Sequence, residues 1–215
     1  TNMMKSGRVP LAAAVGVASQ DRVAFLDKNG IAHFEVFFGA SLLNEVCVDV
    51  NWRLAAPEIE YIVNDAQAKV LVVGPDFVTV VDAIAANLTT VTRILVIGGH
   101  EGYESYEDWV MSFPADDPGV ESQSGDVAFQ LYSSGTTGRP KGAVNTHRGI
   151  VAMVRLQVFH GARGMMKAAA EAAVRGETLA PRAKPCMLVN APLFHVSGLY
   201  VGAIAALANG LKTVW

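Results

Sequence analysis

The chain has 215 residues, 51% of them hydrophobic and 17% charged, with a net charge of −3. This composition excludes a disordered chain, and a small negative charge without any basic run excludes a nucleic-acid surface built on Lys and Arg. The length is enough to bury a substantial core in one or two domains.

Residues 9–18 are apolar and follow Lys5 and Arg8, a pattern that superficially matches an export signal. Pro10 and Gly16 interrupt it, so a first helix leading into the chain is the expectation. Residues 23–26 then read as a strand, and Phe34, Phe37, Phe38, Ser41 and Leu42 fall on one helical stripe. A strand is predicted over 46–50. Pro57 sits where a first-turn proline belongs, ahead of a helix with Ile59, Ile62, Val63 and Ala66 on one face. Residues 69–73 form a strand ended by Gly74 and Pro75. Asp76 is placed to cap the next helix, whose stripe is Phe77, Val80, Val81, Ile84 and Leu88. A strand over 93–97 follows. Alternation of this kind predicts an α/β fold, a largely parallel sheet layered with flanking helices. No Gly-x-Gly-x-x-Gly run follows any of these strands, which removes the dinucleotide-binding reading.

Residues 115–125 are polar and rich in Pro and Gly, so they read as a linker. They divide the chain into a first α/β unit at 1–120 and a second unit at 121–215. In the second unit a buried strand over 126–132 runs into Tyr132-Ser133-Ser134-Gly135-Thr136-Thr137-Gly138-Arg139-Pro140-Lys141-Gly142. Four Ser and Thr hydroxyls, three glycines and one lysine lie in those eleven residues. Glycines let backbone N–H groups approach an anion, hydroxyls bond phosphate oxygens, and an ammonium group opposes the charge. The spacing is not that of a Walker loop: the fifth residue after Gly135 is Pro140, and Gly142 follows Lys141. The β-branched residues after the loop favour a second strand over a helix, so a hairpin closing over phosphates is expected. Beyond it come a helix over 148–159, with His147 and Arg148 at its start, and an Ala-rich excursion over 161–184. That excursion carries five basic residues against two acidic; a solvated segment is expected, with a lid or membrane-surface helix as the alternative. A strand over 187–190, a buried small-residue helix within 196–211 and a last strand at 212–215 complete the chain. Cys47 and Cys186, far apart in apolar contexts, are expected to be buried free thiols in a reducing compartment.

Residues 132–142 resemble the signature loop of the adenylate-forming synthetases, a family that includes acyl-CoA synthetases (fatty-acid–CoA ligases). Ala191-Pro-Leu-Phe-His-Val-Ser-Gly198 is similar to that family's substrate-pocket segment. Asp21-Arg-Val-Ala-Phe-Leu26 and Asn51-Trp-Arg-Leu-Ala-Ala-Pro-Glu-Ile59 resemble its first strand and the segment opening a following helix. The resemblance implies an N-terminal portion of that fold, incomplete at the C-terminus. It also implies the reaction: a fatty acid carboxylate attacks the α-phosphate of ATP, and a thiol such as that of coenzyme A then takes the acyl group. ATP, Mg2+ and coenzyme A are the cofactors of the intact family; none is implied with certainty for this chain, and no metal ligands are assigned.

By position, Ser133, Ser134, Thr136 and Thr137 would bond β- and γ-phosphate oxygens, with Gly135 and Gly138 letting the backbone fold around them. Lys141 would be the catalytic charge, Pro140 would stiffen its approach, and Arg139 would face solvent. Phe194, His195, Val196 and Gly198 would border the acyl site, His195 by shaping its carboxylate end; a histidine satisfied in the core is the alternative. Relatives that activate amino acids carry an aspartate in this block. No acid occurs from 191 to 210 here, so an uncharged acyl chain is the expected substrate. Small residues from Gly198 to Ala206 either leave room for an acyl tail or permit close packing. Trp52 and Arg53 are read as structural. The family's Tyr-Gly-x-Thr-Glu and Thr-Gly-Asp blocks and its C-terminal lysine do not occur in the 215 residues. The expectation is therefore the N-terminal part of a fatty-acid–CoA ligase, inactive alone. The alternative is a non-catalytic phosphate-binding or interaction fragment. A cytoplasmic location, peripheral to a membrane at most, and self-association through exposed sheet edges complete these expectations.

Overall fold

A computed structural model describes residues 17–113, 119–133, 138–177 and 186–214, with the backbone alone at Val201. The predicted first helix before residue 17 and the start of the expected linker, 115–118, therefore lie outside the described residues. Two compact units are present, 1–147 and 148–215.

The first unit is built on β1 (Arg22–Leu26), α1 (Ile31–Leu42), β2 (Val46–Asp49), α2 (Ala56–Asp65), β3 (Ala68–Val73), α3 (Val78–Asp82), β4 (Arg93–Val96), β5 (Glu104–Ser105), α4 (Tyr106–Met111), β6 (Val127–Ser133) and β7 (Lys141–Thr146). The strands form a seven-stranded sheet in the order β5-β4-β3-β1-β2-β6-β7, parallel throughout except for the β6–β7 pair. The expected α/β architecture is the one observed. The division is not where composition placed it. β6 pairs with β2, Cys47 opposite Phe129 and Asp49 opposite Leu131, so the hairpin belongs to the first sheet and the boundary falls after His147 instead of near 120.

Strands covered on both faces read as nearly continuous apolar runs, as in Ala68 to Val73. On one face Ala24, Leu26, Val48, Leu71 and Val73 pack with Ile59, Ile62 and Val63 of α2 and with Val78 and Val81 of α3. On the other, Val23, Val70 and Val72 meet Val36 and Ala40 of α1 and Tyr106 and Trp109 of α4. Phe37 of α1 lies 5.8 Å, centroid to centroid, from Phe129 of β6. Cys47 is buried, as expected, and burial together with the Asp49 carboxylate beside it pushes its thiol well above the usual range. Cys186, by contrast, is exposed.

The helix expected after Asp76 is broken into two 3-10 turns, Pro75–Phe77 and Ala85–Asn87, around the five-residue α3. Asp76 caps none of them. Its carboxylate is drawn instead to the Lys28 ammonium, 2.6 Å away across the carboxyl ends of β1 and β3. Both partners are exposed, so the pair contributes little to stability.

A polar network fixes the start of β6. The Gln20 side-chain amide donates to the Val127 carbonyl at 3.1 Å and accepts the Val127 N–H at 2.9 Å, imitating a strand neighbour. Asn44 joins it, donating to the Asp126 carboxylate at 2.8 Å. Gln20 and Asn44 both hold left-handed backbone angles, φ 68° and 56°, which amide side chains tolerate better than branched ones.

The second unit contains α5 (His147–Val174), which begins on the last residue of the first unit, β8 (Cys186–Leu188), a π-helix (Ser197–Ile204), α6 (Ala205–Ala208) and β9 (Lys212–Val214). The Ala-rich segment expected to leave the helix continues it to residue 174, because Ala, Met, Lys and Glu are strong helix formers and only Gly161 and Gly164 oppose them. Residues 178–184 of that segment lie outside the described residues. β8 and β9 pair in parallel. Among the described residues no helix is long and apolar enough to cross a membrane.

Candidate functional site

The segment 132–142 sits on an antiparallel hairpin, as its β-branched flanks predict. The ladder pairs Leu131 with Ala143, Tyr132 with Gly142 and Ser133 with Lys141. Ser133 and Lys141 therefore face each other at the neck, and both are exposed. The Ser133 hydroxyl lies 3.5 Å from the Lys141 carbonyl, the outer limit of a hydrogen bond. Gly138 has φ 95°, a left-handed conformation in which a side chain would be strained. Ser134, Gly135, Thr136 and Thr137, the other candidate phosphate contacts, lie outside the described residues.

Beneath the neck is a cavity of about 120 Å³ bordered by Asn51, Leu54, Glu58, Tyr132, Ser133 and Gly138. Two of the sequence blocks thus share one wall: the loop, and the segment from Asn51 that opens α2. That segment is held locally. Asn51 Oδ1 accepts the Arg53 N–H at 3.0 Å, the Arg53 guanidinium lies 4.7 Å from the Trp52 ring centroid, and Trp52 leans on Phe77 at 6.1 Å. Glu58 accepts the Ala55 N–H at 3.0 Å and so closes the first turn of α2. These contacts support the structural reading of Trp52 and Arg53.

Sequence reasoning passed over the residues beside the neck. The Tyr132 hydroxyl donates to Asp65 Oδ2 at 2.7 Å and accepts from Gln130 Nε2 at 3.0 Å. Burial, reinforced by the Asp65 carboxylate, holds the Tyr132 phenol above its usual value, so it stays a donor at any physiological pH. Arg139 is exposed, as expected, yet its guanidinium lies over the Tyr61 ring, 5.6 Å from the centroid. The available signal was the spacing of Tyr61 and Asp65, which puts both on one side of α2 away from its apolar stripe. Among the described residues no group of three His, Cys, Asp or Glu side chains is placed to hold a metal ion.

In the second unit Phe194 is half-buried, His195 and Val196 are exposed, and Gly198 is buried. His195 Nδ1 lies 3.1 Å from Ser197 Oγ and accepts the Ser197 N–H at 3.4 Å, so the ring is held by its own turn and is not a core histidine. Gly198 opens the π-helix against the chain at Ala191 and Pro192, and a Cβ there would run into the Pro192 carbonyl. A Cβ on Gly202 would stand 2.9 Å from Val189 Cγ1. These glycines are used for close packing within the unit. π-helical turns are rare and concentrate at functional sites.

The sequence matches the family described as AMP-binding enzyme over residues 10–215. It is 35% identical over 197 residues to the long-chain-fatty-acid–CoA ligase FadD13 of Mycobacterium tuberculosis, covering 90% of this chain and 34% of that protein. It is 32% identical to the fatty acid–[acyl-carrier-protein] ligase ScoC of Streptomyces coeruleorubidus, covering 87% of this chain and 32% of that one. The fold is similar to the inhibitor-bound N-terminal domain of FACL13 from Mycobacterium tuberculosis, with a TM-score of 0.76 and 32% identity over 99% of this chain and 48% of that structure. The chain thus spans about a third of the length of the curated relatives it matches.

Proposed function

The chain belongs to the AMP-binding enzyme family, and on that premise we propose that it supplies the triphosphate-holding part of a ligase that activates fatty acids. The observation that supports this reading most strongly is the loop at 132–142, mounted on a hairpin whose neck sets Ser133 opposite Lys141. In this proposal Ser133, Ser134, Thr136 and Thr137 bond the β- and γ-phosphate oxygens of ATP, and Gly135 and Gly138 let the main chain follow them. The Lys141 ammonium offsets the charge that gathers on the leaving pyrophosphate. A fatty acid carboxylate oxygen attacks the α-phosphorus, a new P–O bond forms, and the bond to pyrophosphate breaks. Attack of one anion on another depends on a preorganised positive surrounding more than on covalent help. Mg2+, when bound, adds charge neutralisation at the phosphates.

Phe194, His195, Val196 and Gly198 belong to the acyl side of the proposal. Their block carries no acid that would pair with an amino-acid ammonium, which favours an uncharged chain. The acyl acceptor is a thiol, that of coenzyme A in the leading form; relatives named for coenzyme A and for acyl carrier protein are both similar to this chain. The location that goes with ATP-dependent chemistry is the cytoplasm. β7 is an edge strand with Lys141 to Val144 exposed, the place where self-association would occur.

Fatty-acid-dependent exchange of labelled pyrophosphate into ATP tests the reading. Exchange with a fatty acid and none with an amino acid is the expected result for the activating protein. A second reading is a clasp that holds triphosphate without chemistry. It predicts ATP binding with no exchange for any acid.

A further inference from the structure

Tyr61 and Asp65 stand one turn apart on α2 and touch both limbs of the hairpin neck. From the incoming strand, the Tyr132 hydroxyl donates to Asp65 Oδ2 at 2.7 Å. On the outgoing limb, the Arg139 guanidinium covers the Tyr61 ring at 5.6 Å. The Tyr61 hydroxyl, 3.4 Å from Asp65 Oδ1, links the two contacts. Gln130 completes the arrangement by donating to the Tyr132 hydroxyl at 3.0 Å. Gly142 makes room for that amide, because a Cβ there would run into Gln130 Nε2. The strand ladder itself ends at Ser133 and Lys141. Tyr132 thus ties the end of the ladder to α2, and beyond the ladder Arg139 ties the outgoing limb to the same helix.

We propose that Tyr61 and Asp65 are positioning residues of the phosphate loop, fixing its two limbs on α2 so that Ser133 and Lys141 keep the spacing at which both meet one triphosphate. The proposal deepens the triphosphate-clasp reading and rests on it. Neither side chain touches the phosphates. The contribution is geometric: a carboxylate accepts one phenol while an aromatic face carries one cation, and each contact opposes the hairpin splaying from a different side. A displacement of about 1 Å at such a neck is enough to weaken charge-assisted bonds severely. An exposed carboxylate with no such duty would be replaceable at little effect.

The test uses the whole chain with Asp65→Ala, Asp65→Asn, Tyr132→Phe and the Asp65→Ala/Tyr132→Phe double variant. ATP affinity is measured by calorimetry, and amide hydrogen exchange at Ser133, Gly138 and Lys141 is measured without nucleotide. Asp65→Ala and Tyr132→Phe each weaken ATP about five- to tenfold, the scale of one lost hydrogen bond. The double variant is no weaker than either single one, because both remove the same bond. Asp65→Asn, which keeps an acceptor oxygen, restores affinity to within about twofold. Exchange at the neck amides quickens while that of β1 and β3 stays unchanged. Unaltered neck exchange in Asp65→Ala, or an acceleration spread evenly over the sheet, overturns the proposal. Should the wild-type chain bind no ATP, the clasp reading fails by itself, and neck exchange still decides whether α2 holds the loop.

Discussion

Glu45→Gln is expected to stabilise the first unit by about 3 kcal/mol at pH 7 and by about 5 kcal/mol above pH 8. Glu45 is only 2% exposed. With Val23, Val36, Val70 and Trp109 it lines a cavity of about 20 Å³ that offers its carboxylate little polar surrounding. Burial, helped by the nearby negative charge of Asp21, pushes its carboxyl up to about 8 from an ordinary 4.5. The folded state therefore holds this proton more tightly than the unfolded chain does. The group's favourable contribution is complete below pH 4.5 and is lost as pH climbs from there through about 8. Gln is close in shape and never ionises, so the variant escapes that loss. Urea unfolding at pH 5, 7 and 8.5 should show a gap between variant and wild type that widens with pH. A gap of constant size would mean that Glu45 ionises as readily in the fold as outside it.

Gly198→Ala is expected to cost the second unit about 3 kcal/mol or more, enough to unfold a marginal element. The new methyl would overlap the Pro192 carbonyl oxygen and stand 2.6 Å from the Pro192 carbonyl carbon and 2.7 Å from the Ala191 oxygen. All three are backbone atoms, so no rotamer relieves the clash. Gly202→Ala is the internal control, since its nearest obstacle is a Val189 methyl at 2.9 Å that can turn aside. Circular dichroism melts should rank wild type above Gly202→Ala and Gly202→Ala above Gly198→Ala. Equal melts for the two variants would refute the packing described for the start of the π-helix.

The sheet was legible because its strands are short apolar runs separated by amphipathic helices, and a buried parallel strand such as Ala68 to Val73 has few other readings. The hairpin was legible from the β-branched residues after Gly142. Position of the domain boundary was not, because a polar Pro- and Gly-rich stretch marks a loop without saying which sheet the next strand joins; β6 returns to β2 through long-range pairing. Asp76 illustrates local logic overridden by a neighbour distant in sequence: a good capping residue stands before the helix, yet Lys28 claims its carboxylate. The full extent of α5 was not legible, because the Ala-rich run after Gly161 and Gly164 carries no apolar stripe that marks it as a continuation of the helix. In the candidate site, the loop residues stand out as candidates by type and spacing alone. Tyr61, Asp65 and Gln130 did not, because ordinary polar residues acquire a role only when the fold brings α2 beside β6. Small residues after Gly198 were ambiguous between acyl volume and close packing; at Gly198 and Gly202 the space is filled by the chain itself.

The loop's hold on a triphosphate is tested most directly by calorimetric titration of the chain and of Lys141→Ala with ATP, tripolyphosphate and AMP. ATP and tripolyphosphate should bind competitively, AMP should bind far more weakly than either, and Lys141→Ala should weaken ATP and tripolyphosphate by at least about tenfold, the scale of one charge-assisted contact. ATP and AMP binding equally well, or Lys141→Ala binding ATP as tightly as wild type, would contradict the account.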